Sequence, residues 1–409
     1  MKYDFELIDK LVKSYGSPLY IFDEDSFVNN YKHFVKAISD AYDKYQLSYS
    51  YKTNYCPYIC KLVKELGGYA EVVSDMEYYF AKKIGYKDNQ IIYNGPYKDS
   101  LSLDMLSNGG LLNIDNLDEL NRVIEFAKKN YENHFYIGLR INVNIGQSFI
   151  SRFGIDVDSD DFEKALQIIH EIDNLHIQGL HLHVGQSRGT DSWTNRARRM
   201  IEVVDKYFKK DKLKYIDLGS GMFGEMDDFL GNQFTKDRPK YEDYAKAIGN
   251  VLNEYYKDYS YEDKPILFTE PGTTIINHYI NFVGSIFAIK HIKGQDIVVM
   301  DCSKHMLGEI CTLKKLPIKV FSNNSNKKTV NNANIVGYTC LEHDVMYKGF
   351  EGDIAVGDYI LFGNVGGYSN VDKPPFILPN CAMIAFSKGE AKIIKRKETF
   401  DDILATYTL

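Results

Sequence analysis

Lys52, His183 and Glu270 stand out in this chain because each lies at the end of a short β-rich run. Lys52 follows LSYSY, Arg140 and Asn142 lie near the end of YIGLRINV, and His183 comes late in IQGLHLHV. KYIDL runs into Gly219-Ser220-Gly221, and ILFTE ends at Glu270-Pro271-Gly272. In a parallel barrel the reactive groups sit at the C-terminal ends of the strands, so one rim would collect an amine, an imidazole, a glycine turn and a carboxylate. Each has a bland reading by itself. A lone lysine after a strand is ordinarily a solvated surface group, and a lone histidine there is a hydrogen-bonded core residue. Gly-x-Gly serves any tight strand-to-helix turn. Their conjunction is what points to chemistry.

The turn LGSGMFG can present backbone N–H groups to a phosphate without a Walker-type lysine, which leaves Lys52 for another role. A lysine amine held near apolar and cationic groups becomes nucleophilic and forms Schiff bases, the anchoring step for pyridoxal 5'-phosphate (PLP). That cofactor needs a carboxylate beside its pyridine nitrogen, a place Glu270 can take, while His183 can stack on the ring. A metal-dependent hydrolase using His181 and His183 is the competing reading, since His-x-His after a strand can bind metal. No further ligand set is visible in the sequence, so no metal is expected.

The elements that must position these residues alternate. From Leu19 to about Glu270, β-rich runs are separated by stretches such as 118–130 and 161–172, whose apolar residues recur at spacings of three and four. Runs at 19–22, 47–51, 69–73, 91–94, 111–114, 136–143, 177–184, 214–218 and 266–270 predict a (β/α)8 TIM-type barrel over 18–275. After about Ile275 the runs NFVGSIFAIK, DIVVMD, PIKVF, NIVGYT, DYILF and CAMIAF follow one another across polar or glycine-containing turns. They predict a C-terminal antiparallel β domain, a sandwich or barrel over 276–409, with 1–17 contributing.

A chain of 409 residues exceeds one ordinary core, which holds about 100 to 200 residues, or roughly 250 in an α/β barrel. Its 49 basic and 56 acidic residues are mixed along the chain and leave no basic stripe for nucleic acid. No apolar run reaches the roughly 18 to 20 residues that cross a bilayer, and MKYDFELIDKLVKSYG lacks the apolar centre of a signal peptide. A cytoplasmic location with no membrane partner is expected. The six cysteines show no paired CxxC spacing, and Cys56, Cys60, Cys302, Cys311 and Cys381 read as ordinary buried thiols. The 32 tyrosines are spread through all element types and read as compositional bias.

The ordered motifs resemble the fold-type III PLP decarboxylases, the family of diaminopimelate decarboxylase and eukaryotic-type ornithine decarboxylase, which share an alanine racemase-like fold. The resemblance covers nearly the whole chain. PLYIFDEDSF resembles the run leading into the barrel, and SYKTN the Schiff-base motif, with Lys52 as its lysine. AEVVSDMEYYFA resembles the D-V-V-S-x-x-E segment, with Glu71 where the family usually has Asp, then Ser74 and Glu77. LRINVN and SRFGID resemble the arginine strand and the K-F-G element, here Arg140 and Arg152-Phe153-Gly154. HLHVG supplies the ring-stacking His183, DLGSGMFG the phosphate turn Gly219-Ser220-Gly221, and TEPG the carboxylate Glu270 with Gly272. GYTCLEHDV resembles G-P-x-C-(D/E)-x-x-D, in which the cysteine reaches the neighbouring subunit's site as proton donor. The resemblance implies that role for Cys340 and a site role for Asp344, whose bland reading is a turn former. NVGGYS resembles the G-A-Y segment and implies a phosphate contact by Tyr368. A homodimer with shared sites, acting on a small-molecule amino acid, follows from the same resemblance.

Departures from the pattern concern mainly the substrate and the phosphate. Thr273 stands where many members carry an E-P-G-R arginine, which removes an anion clamp worth about 1.5 to 3 kcal/mol. Leu341 stands where an acidic residue reads a distal amine, with Glu342 one position later. The serine usual after the histidine motif is displaced to Gln186-Ser187, and DCSKHMLGEIC shows no diaminopimelate-type arginine. The expectation is a divergent decarboxylase releasing CO2 from Cα of an amino acid, or of a modified or carrier-linked one, in a dedicated biosynthetic pathway. Arg152, Thr273, Glu342 and Asp344 are its candidate substrate contacts. Two alternatives share the residues. A racemase on the same fold needs acid/base groups on opposite faces of the cofactor. A catalytically dead, decarboxylase-like regulator would not need Lys52, Glu270, Cys340 and Tyr368.

Overall fold

Strand β1 (Leu19–Asp23) is followed by β2 (Tyr45–Ser50), β3 (Tyr69–Val72), β4 (Ile91–Tyr93), β5 (Leu111–Ile114) and β6 (Phe135–Asn142). Then come β7 (Ile155–Asp156), β8 (Leu175–His181), β9 (Tyr215–Asp217) and β10 (Ile266–Thr269). The remaining strands are β11 (Ile280–Ile292), β12 (Gln295–Met300), β13 (Ile318–Phe321), β14 (Lys328–Val336), β15 (Val345–Ile354), β16 (Tyr359–Phe362), β17 (Ala382–Ser387) and β18 (Glu390–Lys395). The structure is a computed structural model and describes residues 3–209, 212–372 and 374–408.

Strands β2 to β10 form one sheet in the order β5-β4-β3-β2-β10-β9-β8-β6-β7, and a β5–β6 pairing closes it. Leaving aside the two-residue β7, eight parallel strands make the ring. Their residues are mostly buried, as in parallel strands covered on both faces. The helices between them bury one stripe each. Leu117–Lys129 turns Leu120, Val123, Ile124 and Ala127 inward, and Asn116 caps it by accepting from Glu119 N. Asp75–Ile84 starts at Ser74, which caps Glu77 N, and stops at Gly85 in the left-handed conformation.

Residues 19–22, read from the sequence as the first barrel strand, are not in this ring. Strand β1 runs antiparallel to β11 and parallel to β17 in the second sheet. It is buried at every position, a pattern shared by barrel strands and by a central strand with neighbours on both sides. The second sheet runs β15-β14-β12-β11-β1-β17-β18, with β16 pairing both β11 and β13. It is antiparallel except for the β1–β17 and β12–β14 pairs. Strands β15 and β18 escaped the sequence reading because VMYKGFEGDI and EAKIIK carry few consecutive apolar residues. Helix Phe5–Tyr15, capped by Asp4, packs Ile8, Leu11 and Val12 into a core with Leu19, Ile21, Val283, Leu361 and Ile384.

The chain forms two compact units. One comprises Lys32–Phe223 and Arg238–Thr274. The other comprises Met1–Tyr31, Gly224–Asp237 and Ile275–Leu409. The barrel unit therefore begins after β1 rather than at residue 18.

The barrel interior is filled by a tyrosine that two glycines make room for. Gly138 of β6 is paired with Gly179 of β8, which is paired with Tyr215 of β9. A methyl group at Gly179 would lie 2.2 Å from the Tyr215 ring, and one at Gly138 would lie 2.1 Å from its hydroxyl. Tyr215 is buried and donates to Asn113 Oδ1 at 2.6 Å. Gly179→Ala should therefore lower stability by about 1 to 3 kcal/mol in urea unfolding through overpacking. Combined with Tyr215→Ala it should cost clearly less than the sum of the two changes, since the same space is contested.

Candidate active site

Lys52 sits on the one-turn helix Tyr51–Thr53 that follows β2. Its Nζ donates to Ser50 Oγ at 2.8 Å and to Glu71 Oε2 at 2.7 Å. Ser50 Oγ donates to the same carboxylate oxygen at 2.6 Å. The pairing of β2 with β3 sets this geometry by placing Ser50 opposite Glu71. Lys52 is 33% exposed and Glu71 only 1%, so a buried acid lies under a lysine open to the barrel mouth. A buried acid needs a cation within reach, and Lys52 supplies one to Glu71.

Glu270 follows β10 and is fully buried. Its Oε1 accepts from Asn94 Nδ2, and its Oε2 lies 3.4 Å from His181 Nε2 and 3.5 Å from His183 Nδ1. Burial works to raise its pKa, but His181 first, and then Lys52, hold it well below the usual carboxylate range. Asp217, at the end of β9, accepts from Gly219 N at 2.8 Å. Burial first, and then the neighbouring Glu270 charge, push Asp217 well above the usual range. Of the two buried acids, Glu270 carries the charge and Asp217 the proton. Burial also drives His183 down to about 4 against the pull of Glu270, so its ring is neutral at pH 7.

Two asparagines, absent from the sequence reading, join these groups. Asn94 Nδ2 reaches Glu71 Oε1 at 3.3 Å as well as Glu270, and Asn113 Nδ2 donates to Asn94 Oδ1 at 2.9 Å. Their signal was available, since both lie at or near the ends of barrel strands. Arg140 is buried 3.4 Å from Asp115 and 4.6 Å from the Phe153 ring centre. Asp115 N in turn donates to Glu119 Oε2 at 2.7 Å, and Glu119 pairs with the fully buried Lys98 at 2.8 Å. Lys98 lies in the polar run PYKDS, which reads as an ordinary loop. Arg152, expected near the substrate, is exposed and lies over Phe153 at 4.1 Å.

Gly219 and Gly221 have φ of 65° and 106°, the left-handed region that favours glycine. Space forbids a side chain as well. A methyl at Gly219 would lie 2.6 Å from His183 Nδ1, and one at Gly221 would lie 2.9 Å from Val184 O. Ser220 N donates to His183 Nδ1 at 3.2 Å, which fixes the imidazole against the turn. Behind the turn lies Arg196, completely buried, donating to Ser220 O at 2.6 Å, Ser187 O at 2.9 Å and Val184 O. The sequence reading missed it because NRARRM resembles a solvated charge run on a helix. Gly272 allows close approach to the lysine turn, as a methyl there would lie 2.0 Å from Thr53 Oγ1. Thr273 is half-buried at the start of the short helix Thr273–Ile276.

In the other unit Cys340 is exposed, Cys311 is half-buried and Cys302 and Cys381 are buried, while Cys56 and Cys60 are buried in the barrel unit. Asp344 is buried, with Oδ1 accepting from Lys304 N at 2.8 Å and Ser303 Oγ at 3.1 Å. Its Oδ2 accepts from Thr339 Oγ1 at 2.7 Å and Thr339 N at 3.3 Å. Oδ2 is bonded within its own loop, and Oδ1 ties that loop to the Ser303–Lys304 segment. Glu342 is exposed on the same loop and Leu341 half-buried. Tyr368 is half-buried at φ 56°, a conformation that bulky residues adopt only when their surroundings impose it.

His181, His183 and Glu270 bring one potential ligand atom each within 4.8 Å of one another, the third member that the metal reading lacked. The same convergence is what keeps Glu270 ionised, so it has an explanation without an ion.

Residues 26–277 match the family model described as pyridoxal-dependent decarboxylase, pyridoxal binding domain. The diaminopimelate decarboxylase of Methanocaldococcus jannaschii is 26% identical, over 97% of this chain and 92% of its own length. The L-glutamyl-[BtrI acyl-carrier protein] decarboxylase of Niallia circulans is 23% identical, over 99% and 97%. The crystal structure of the M. jannaschii enzyme superposes with a TM-score of 0.86 at 24% identity, covering 98% of this chain and 94% of that one. Lysine decarboxylase from Selenomonas ruminantium gives 0.76 at 22% identity, covering 95% and 97%. At these identities the structural likenesses speak for the fold.

The low pKa of His183 has a measurable consequence. Between pH 6.5 and about 4 the unfolded chain binds a proton that the folded chain refuses, so stability falls as pH drops through that window, by up to roughly 3 kcal/mol. Urea unfolding of the cofactor-free chain at several pH values should show this fall, and His183→Gln should flatten it. Equal slopes for both proteins would assign the effect to other groups.

Proposed function

The chain belongs to the pyridoxal-dependent decarboxylases and is a PLP-dependent carboxy-lyase, and from that premise we propose that Lys52 holds the cofactor and that an amino acid loses its α-carboxylate here. The observation that carries this reading is one hydrogen-bonded network at the barrel mouth, in which Asn94 links the acid under Lys52 to the buried Glu270.

The residues fit the cofactor. Lys52 Nζ is the amine for its aldehyde, kept in place by Ser50 and Glu71. Glu270, ionised and dry, suits a protonated pyridine nitrogen, and the neutral His183 offers a flat face. The Gly219–Gly221 turn, packed too closely against His183 and Val184 for side chains, suits the phosphate, with Arg140 as a further contact. When bound, PLP supplies the electron sink that accepts the pair left on Cα as CO2 departs.

The chain's own part is to orient the amino acid, exclude water and return a proton to Cα. Cys340 of a second copy is assigned that proton, on the grounds that its thiol is exposed on a loop pinned by Asp344. The working unit in this reading is a homodimer. For the substrate, Thr273, Leu341 and Glu342 favour an amino acid other than diaminopimelate or ornithine, and the carrier-protein decarboxylase among the relatives makes a modified or carrier-linked one the leading class.

Lys52→Ala should abolish both CO2 release and the absorbance near the visible edge, and retention of that band would sink the assignment. Mixing Lys52→Ala with Cys340→Ala chains should restore about a quarter of the activity if each site draws on both subunits of a two-fold dimer. No recovery would place Cys340 outside the partner's site. A screen with diaminopimelate, ornithine, lysine, arginine, glutamate and their carrier conjugates, read by CO2 and mass, identifies the substrate. Loss of optical activity without CO2 would mark a racemase instead.

A further inference from the structure

Arg196 is a buried cation without a counter-ion. It is 0% exposed, and no carboxylate pairs with it among the described residues. Its partners are the carbonyls of Val184, Ser187, Leu218 and Ser220 and the ring of Trp193, 4.4 Å away. Burial pulls its pKa down to about 9, which still leaves it charged at neutral pH. Carbonyls alone are an incomplete exchange for water around a guanidinium, so a dry charge of this kind marks a place where an anion is expected.

The position of the charge indicates which anion. Two of the carbonyls, those of Leu218 and Ser220, belong to the turn containing Gly219 and Gly221. Across a trans peptide the N–H points opposite to the C=O, so Ser220 O facing Arg196 aims the N–H of Gly221 away from it. A methyl group at Gly221 would lie 3.4 Å from an Arg196 Nη, so the guanidinium sits directly behind the turn. Charge and peptide dipoles then act in the same direction across one layer of backbone.

We propose that Arg196 is the resident cation of the phosphate cradle, a positioning residue that makes the Gly219–Gly221 turn select a dianionic phosphate ester over the corresponding uncharged alcohol. It acts through the turn, and it supplies from the helix Thr190–Tyr207 a positive charge that Thr273 does not bring. The inference rests on the reading of Lys52 as the cofactor lysine.

The test compares the binding of pyridoxal phosphate and of pyridoxal to the cofactor-stripped full chain, followed by the absorbance that depends on Lys52. Arg196→Met should weaken pyridoxal phosphate by roughly 10- to 100-fold while leaving pyridoxal within about 2-fold, and Arg196→Lys should retain most of the preference. An unchanged preference in Arg196→Met, or equal loss of both ligands, would overturn the proposal. The unaltered holoenzyme gives a second reading that needs no variant to fold. Its bound phosphate should stay dianionic by phosphorus NMR from about pH 8 down to about pH 6, near the usual second pKa of a phosphate monoester. A phosphorus signal that titrates in that range would equally reject it. A chain that binds neither ligand covalently would instead overturn the assignment of Lys52.

Discussion

A carboxylate sealed inside a protein must either take up a proton or be surrounded by groups that favour its charge. Glu270 is kept ionised by the His181 imidazole, an asparagine amide and the nearby lysine, and the rest of the barrel mouth is arranged around that condition. Asp217 next to it cannot also ionise and keeps its proton. His183 stays neutral despite the adjacent charge, because burial costs the imidazolium more than Glu270 returns. Two carboxyls and an imidazole in neighbouring strands are thus pushed apart in pKa, Asp217 upward and Glu270 and His183 downward, the kind of separation that acid–base chemistry requires.

The same rule extends outward along the strands. Lys52 meets Glu71, Arg140 meets Asp115, and Lys98 meets Glu119, each pair largely removed from water except at the open lysine. Removing one member of such a pair leaves its partner's charge buried and unpaired, so the pairs act as a connected frame. Asn94 and Asn113 join that frame to the Tyr215 layer below, so packing in the barrel interior and charge at its mouth are linked through two amides. Arg196 is the exception, held among the described residues by carbonyls and an indole.

The second unit carries loops set by buried polar anchors. Asp344 spends both oxygens on four hydrogen bonds, and the loop it shapes leaves Cys340 exposed while most other thiols enter the core. Tyr368 adopts a left-handed φ of 56°. Rigid anchors under exposed reactive groups are what allow a loop to present chemistry with precision.

The barrel, its strand ends and the residues at its rim were legible in the sequence because each is a local pattern: apolar runs, helical spacing, and a polar residue where each run stops. Lys52, His183, Glu270 and the two glycines could be picked out in that way. Which sheet β1 joins was not legible, since a short apolar run looks the same in either. Nor were the burial of Lys98 and Arg196, which stand in ordinary polar stretches, or the bonds that tie Asp344 to Ser303 and Lys304. The partition of charge between Asp217 and Glu270 was equally hidden, because a pKa depends on burial and on neighbours that only the closed barrel brings together. The sequence by itself determined which chemical groups the rim contains, and the tertiary structure alone decided their protonation states and partners, since burial and electrostatic interaction depend on distance in space rather than along the chain.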